Sequence, residues 1–398
     1  MSVPKILFVS NGHGEESIAA RIADEVIAVM PELAIDHLAL VGDFGHPSVM
    51  HDVGPRRAMP SGGLIAMGNV RNIARDVRKG LLAFTLEQAR FLRRTRCSTG
   101  YDVVVAIGDT FALLMAMQTK APAFFVGTAK SVHVAPYGSF EERILRRARG
   151  VFVRDSETAE RLREHGVDAE APGNVIVDLF AMEDDVRAED AVNGFIPALA
   201  VFPGSRQTAY LEASALTRVV RELVRTRPHL GAALSIAPGL DIAQFMQIFA
   251  EDGWNVRQRD DAHIPFTLCI GEREVVRAWH GRIGALLSRV TLVLGQAGTA
   301  NEAAAAAGVP IVALELAGDR SAWYRKRQCG LLGDALLLAP ENAIDAARCV
   351  AELLDDPHRL GRMSRAGRER MGHPGGAHAI ARRIALFLQK PDSREEML

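Results

Sequence analysis

This chain carries few of the marks that announce a chemistry, and what is missing narrows the field. Its four cysteines, Cys97, Cys269, Cys329 and Cys349, lie far apart with no CxxC spacing. That excludes both a disulfide framework and a cysteine zinc site, and it suits a reducing cytoplasm. No GxSxG, HExxH or Walker loop occurs, which removes the usual serine-hydrolase, zinc-protease and nucleoside-triphosphatase machinery. There is no DxD triplet either, so nothing asks for a metal-bridged diphosphate, and neither a metal nor a cofactor is expected. A net charge of −1 supplies no field for non-specific nucleic-acid binding. The first apolar run is about five residues, too short for a signal-peptide core or a membrane span. A cytoplasmic protein is expected, peripheral at most on the inner face of the cytoplasmic membrane. Internal repeats and low-complexity tracts are absent.

What is present is an ordinary globular composition, 48% apolar and 24% charged, over 398 residues. That length exceeds the reach of one core, so two domains of about 150 to 200 residues are expected. Short β-branched runs alternate with helical patterns. KILFVS reads as a buried strand, followed by a helix from about Glu15 to Met30; DHLALVG, DVVVAIG, APAFFVG and GVFVRD repeat the unit. A second set begins near Ile196 with PALAVFPGSR, GAALSIAPG, VTLVLGQAG and GVPIVAL, after a polar, acidic linker from Ala181 to Gly194. This βα alternation predicts parallel sheets with helices on both faces. Two doubly wound halves would hold a ligand in a cleft, outside the carboxyl ends of their strands. The end of the chain is helical, broken by HPGG before a last helix.

The strongest chemical signal is GQAGTANEAAAAAGVP, Gly295 to Pro310. A strand ends there in a small-residue turn and a helix follows, so free N–H groups and the positive end of a helix dipole suit a diphosphate. Glu302 falls on the first turn, where it either accepts from ribose hydroxyls or simply complements the dipole of an Ala-rich packing helix. In the same half, VFPGSR ends a strand. Gly204 and Ser205 permit close backbone approach, and Arg206 can grip a phosphate with two hydrogen bonds, unless the turn is only a helix cap.

The first half offers SNGHGEES, which is not the GxGxxG dinucleotide fingerprint. Flanking glycines would let His13 project as a base near neutrality; the plainer reading is a helix start with Glu15 and Glu16 in its first turn. Asp109 ends one strand and opens a helix, which makes it an N-cap, a base for an acceptor hydroxyl, or both. The loop Phe125 to Ser139 carries Lys130, His133 and Tyr137 without an assignable chemistry. From Arg56 to Arg96, ten basic residues stand against Asp76 and Glu87, with apolar residues interleaved. Arg71, Arg75, Arg78 and Lys79 lie within this segment, which suits an anionic membrane surface or a lipid acceptor; a solvated helix face over an ordinary core stripe explains it equally well.

Taken together, these residues resemble the lipid-A-disaccharide synthase-related family of GT-B glycosyltransferases. The carrying segments are NGHGEE, PSGG followed by RDVRKGLLAFTLEQ, AIGDT, FVGTAKS, VFVRDSETAERLREHGV, GNVIVD, FPGSR and GTANEAAAAAGVP, in the family's order. The resemblance implies an α/β GT-B fold, two Rossmann-like doubly wound parallel-sheet domains facing a cleft. Residues 1–180 would be the acceptor side and 195–375 the donor side, with the final helix, 376–398, expected from the fold to pack back on the first domain. It further implies that Gly298, Thr299 and Ala300 meet the diphosphate of a UDP-GlcNAc-like donor and that Glu302 meets its ribose. Gly204, Ser205 and Arg206 would close on the phosphates, and His13 or Asp109 would be the base toward a lipid or lipid-linked acceptor. In the synthase itself the first loop reads more like GEASGD, whereas this chain has NGHGEES, so the lipid A disaccharide reaction does not follow. Non-hydrolysing UDP-N-acetylglucosamine 2-epimerases share the fold, and a non-catalytic sugar-nucleotide or lipid-binding protein is the third reading.

Overall fold

The computed structural model describes residues 3–41, 49–57, 81–98, 100–180, 185–316 and 319–389. The chain forms two compact units, one of Met1–Leu179 with His373–Leu398 and one of Phe180–Gly372. Arg71, Arg75, Arg78 and Lys79 lie outside the described residues, as does the side chain of His13.

Unit 1 is built on strands β1 (Lys5–Ser10), β2 (Ala34–Ala39), β3 (His51–Asp52), β4 (Val103–Gly108), β5 (Ala123–Gly127), β6 (Gly150–Val153) and β7 (Ala169–Glu170). They pair in parallel in the order β3-β2-β1-β4-β5-β6-β7. Both faces of the central strands are covered, so β1, β4, β5 and β6 carry apolar runs without alternation. Leu7 and Val9 of β1 enter a core with Leu38, Val104, Phe125 and Leu113. Ile6 and Phe8, one residue out of phase, are equally buried against the other layer. Helix α1 (His13–Val29) follows β1, α2 (Thr110–Ala116) follows β4, α3 (Ser139–Leu145) follows β5 and its loop, and α4 (Ser156–Glu164) follows β6.

The last described helix, Gly376–Gln389, packs along α1 within unit 1. Its start is fixed by Asp178, whose carboxylate accepts from Gly375 N at 2.5 Å and Ala377 N at 2.7 Å. His378 pairs with Glu25 at 2.9 Å and Arg383 with Glu170 at 2.6 Å. A charge-assisted cap on otherwise orphaned N–H groups stabilises a helix start by about 1 kcal/mol.

Unit 2 is built on β8 (Ala198–Phe202), β9 (Gly231–Ser235), β10 (Asn255–Gln258), β11 (Phe266–Ile270), β12 (Arg273–Trp279), β13 (Leu292–Gly295), β14 (Ile311–Leu314) and β15 (Leu336–Ala339). The order is β10-β11-β12-β9-β8-β13-β14-β15. From β12 to β15 the pairing is parallel, but β10, β11 and β12 pair antiparallel. This flank departs from the all-parallel expectation. The physical reason is connection length, because β11 and β12 are joined by Gly271 and Glu272 alone, which closes a hairpin and cannot make a parallel crossover. Helix α5 (Ala209–Thr226) follows β8, α6 (Thr299–Ala307) follows β13, and α7 (Asp319–Leu332) follows β14.

Candidate functional site

The parallel part of each sheet reverses strand order once. In unit 2 the reversal lies between β8 and β13, and in unit 1 between β1 and β4. A crevice opens outside the carboxyl ends at such a point because successive crossovers leave in opposite directions.

At the unit 2 reversal, Gly295 is paired with Phe202, so the turns after β13 and β8 start side by side. Gln296 N and Ala297 N both donate to Phe202 O, at 2.9 and 3.1 Å, which stitches one turn to the neighbouring strand. Gly204 has φ +114°, a conformation open to glycine at little cost, and a Cβ there would lie 3.8 Å from Ala297 Cα. Gly295 permits a second close approach. Asn301 folds back and donates to Gly295 O at 3.0 Å, and a Cβ on Gly295 would sit 2.0 Å from Asn301 Oδ1.

Helix α6 starts on Gly298, with no side-chain cap. Its first bonds run from Asn301 N and Glu302 N to Gly298 O, at 3.1 and 3.2 Å. The N–H groups of Gly298, Thr299 and Ala300 have no partner among the described residues. Glu302 lies half-buried on the first turn of α6, and Ser205 and Arg206 are exposed on the turn after β8. The structure therefore brings Gly204, Ser205, Arg206, Gly298, Thr299, Ala300 and Glu302 to the carboxyl ends of two adjacent strands.

Beneath these turns lies a buried polar brace with no sequence signal, since RKRQ reads as an ordinary charged helical face. Arg325 of α7 donates to Gln296 O at 2.8 Å, and Gln328 donates to Ala297 O at 2.5 Å. The side chain of Gln296 donates onward to Leu314 O at 3.0 Å. Glu212, on the first turn of α5, has its carboxyl held above the usual range by burial, against the opposing pull of Arg325, a hydrogen bond from Thr208, and Arg206.

The unit 1 reversal is furnished differently. Asp109 is 8% exposed and accepts from Phe111 N at 3.0 Å and Ala112 N at 3.2 Å, both through Oδ1. The cap role is thus plainly made, and Oδ2 is left for other work. His13 opens α1 in the loop after β1. Glu15 accepts from Thr128 Oγ1 at 3.4 Å. Along the next strand end, Glu141 gathers Lys130 at 2.6 Å, Thr110 Oγ1 at 3.2 Å and Gly138 N at 2.9 Å. The Tyr137 hydroxyl is buried without a partner, and burial raises its pKa. His133, Asp155 and Glu157 bring ligand atoms within 4.8 Å of one another, a spacing that could admit an ion. Asp155 also caps α4 through Thr158 N at 2.8 Å, and His133 pairs with Glu157.

Beyond Arg56 and Arg57, the described part of the basic segment is a docked helix, Leu81–Ser98. Phe84 and Leu92 are buried, Leu86 is exposed, and Arg93 and Arg96 bond to Gln118 at 2.9 and 2.7 Å. Among the described residues no helix is long and apolar enough to cross a membrane.

No family profile matches the sequence, and no curated protein matches it. Solved structures do match in fold. A Listeria monocytogenes protein assigned as a UDP-N-acetylglucosamine 2-epimerase superposes with a TM-score of 0.62 at 15% identity, covering 98% of each chain. The UDP-GlcNAc 2-epimerase from Neisseria meningitidis, solved with UDP-GlcNAc, gives 0.57 at 12% identity, covering 96% of this chain and 100% of the other. The calicheamicin glycosyltransferase CalG4 gives 0.54 at 15% identity, covering 98% and 100%. The fold is accordingly that of two parallel-sheet α/β domains of the GT-B type, shared by UDP-sugar epimerases and glycosyltransferases.

Proposed function

We propose that the protein is a glycosyltransferase that binds a UDP-sugar by its diphosphate in unit 2 and moves the sugar to a lipid or lipid-linked acceptor. The observation that carries the donor half is the pair of turns at the β8–β13 reversal, with three N–H groups at the start of α6 that have no partner among the described residues. Backbone donors fixed in advance stabilise the charge that grows on the leaving diphosphate without reorganising, and Arg206 adds a cation that the turn leaves exposed. Glu302 is assigned to the ribose hydroxyls. The acceptor hydroxyl gives its proton to Asp109 or His13 and its oxygen bonds to the sugar carbon, as the bond from that carbon to the UDP oxygen breaks. The acceptor class follows from the likeness to the lipid-A-disaccharide synthase-related segments and from the basic run Arg56 to Arg96.

A second reading, a UDP-GlcNAc 2-epimerase, is favoured by the fold neighbours that carry that name. The purified protein is incubated with UDP-sugars, with and without a lipid extract. UDP release that rises with the extract supports transfer. Epimer formation without an acceptor replaces it with the isomerase, and binding without turnover leaves a carrier.

A further inference from the structure

We propose that Arg325 and Gln328 are positioning residues of the donor turn, holding its carbonyls inward so that the Gly298 N–H is aimed at the diphosphate. The inference rests on the donor reading above. The two side chains stand three residues apart on α7, hence on one face. Arg325 is 6% exposed and Gln328 4% exposed, so neither serves solubility.

The orientation follows from bond geometry. Arg325 Nη1 donates to Gln328 Oε1 at 2.6 Å, which fixes the amide and leaves Gln328 Nε2 to reach Ala297 O at 2.5 Å. In a planar trans peptide, C=O and the following N–H point in opposite directions. Pinning Gln296 O to Arg325 therefore turns the Ala297 N–H the other way, where it meets Phe202 O at 3.1 Å. Pinning Ala297 O to Gln328 likewise turns the Gly298 N–H away from α7, and that group has no partner among the described residues. A turn of small residues does not hold such an orientation on its own. The brace supplies what Gly298 and its neighbours cannot.

The charge of Arg325 has a second effect. A buried guanidinium is costly to desolvate unless its hydrogen bonds are met, and here two of them are met by the turn and by Gln328. Its positive potential lies behind a turn that already carries the positive end of the α6 dipole, and the two add at the same phosphate. Burial raises the pKa of the nearby Glu212 carboxyl, against the pull of Arg325.

The test separates phosphate from nucleoside. Gln328→Glu keeps the shape, but an ionised carboxylate has no hydrogen to give Ala297 O. Affinities for UDP and for uridine, which lacks the phosphates, are measured by calorimetry on the full chain. UDP affinity is expected to fall roughly 10-fold at pH 8 with uridine affinity changed less than about twofold, and part of the loss should return at low pH as the introduced carboxyl takes up a proton. Arg325→Lys, which keeps the charge with fewer directed donors, should show a smaller fall with the same selectivity for UDP. Parallel losses for both ligands, or unchanged UDP affinity in both folded variants, would overturn the assignment. If wild-type protein binds uridine but UDP no better, the donor reading fails and this one falls with it.

Discussion

The two strand-order reversals of this molecule are furnished in opposite ways. In unit 2 the carboxyl ends of β8 and β13 present backbone, with glycine and small residues outside and the side chains of Arg325, Gln328 and Gln296 gripping carbonyls from beneath. In unit 1 the ends of β1, β4 and β5 present side chains, and some of these bond one another, as Lys130 and Thr110 do on Glu141. Backbone donors suit a charged group common to many ligands. Side chains suit the part of a substrate that varies. On the proposed reading, the diphosphate goes to unit 2 and the base is sought in unit 1.

Several substitutions break or sharpen that contrast. Asp109→Asn keeps a side-chain oxygen for the cap of α2 but no base, so turnover should fall roughly 10²- to 10⁴-fold while thermal stability stays within about 1 kcal/mol. Turnover near the wild-type rate would reduce Asp109 to a cap and move the base to His13, to be measured in His13→Ala. Arg206→Ala removes a charged phosphate contact and should weaken UDP roughly 10- to 100-fold, with uridine little affected. Equal effects on both ligands would mean that the β8 turn is only a helix start. Glu302→Ala should weaken UDP and uridine alike, by roughly 10-fold, since the ribose is common to both; an unchanged uridine affinity would sink the ribose assignment.

The smallest effect concerns Glu212. Burial raises its carboxyl in the folded protein, so the native state binds that proton more tightly than the unfolded chain does. Stability from this group is fully present below the unfolded pKa and is lost as pH rises through the raised native value. Glu212→Gln should therefore match wild type near pH 4 and melt roughly 1 to 3 °C higher at pH 8. No difference at pH 8 would mean that Arg325 and Arg206 offset the whole cost of burial.

Much of the unit 2 rim was legible because its signals are local. A strand run followed by Gly-Gln-Ala-Gly-Thr, or by Pro-Gly-Ser-Arg, tells where the backbone turns and that a helix follows, and helices do start at Thr299 and Ala209. Residues 255–279 gave no such signal. β10 and β12 carry charged, half-exposed residues, β11 is a short apolar run, and the antiparallel pairing of β11 with β12 depends on a two-residue hairpin that composition alone does not mark. The interleaved apolar residues at 84, 86 and 92 are divided by packing, which buries Phe84 and Leu92 and leaves Leu86 outside.

By itself the sequence determined the βα alternation, the glycine-bearing turns at 204 and 298 and the capping chemistry of Asp109, because each depends on residues within a few positions of one another. Tertiary structure alone decided that β8 lies beside β13, which makes one site of two turns almost a hundred residues apart. It also decided that Arg325 and Gln328 reach Gln296 O and Ala297 O. A hydrogen bond across about thirty residues leaves no period or motif in the chain, and only the packing of α7 under the turn brings donor and acceptor within bonding distance.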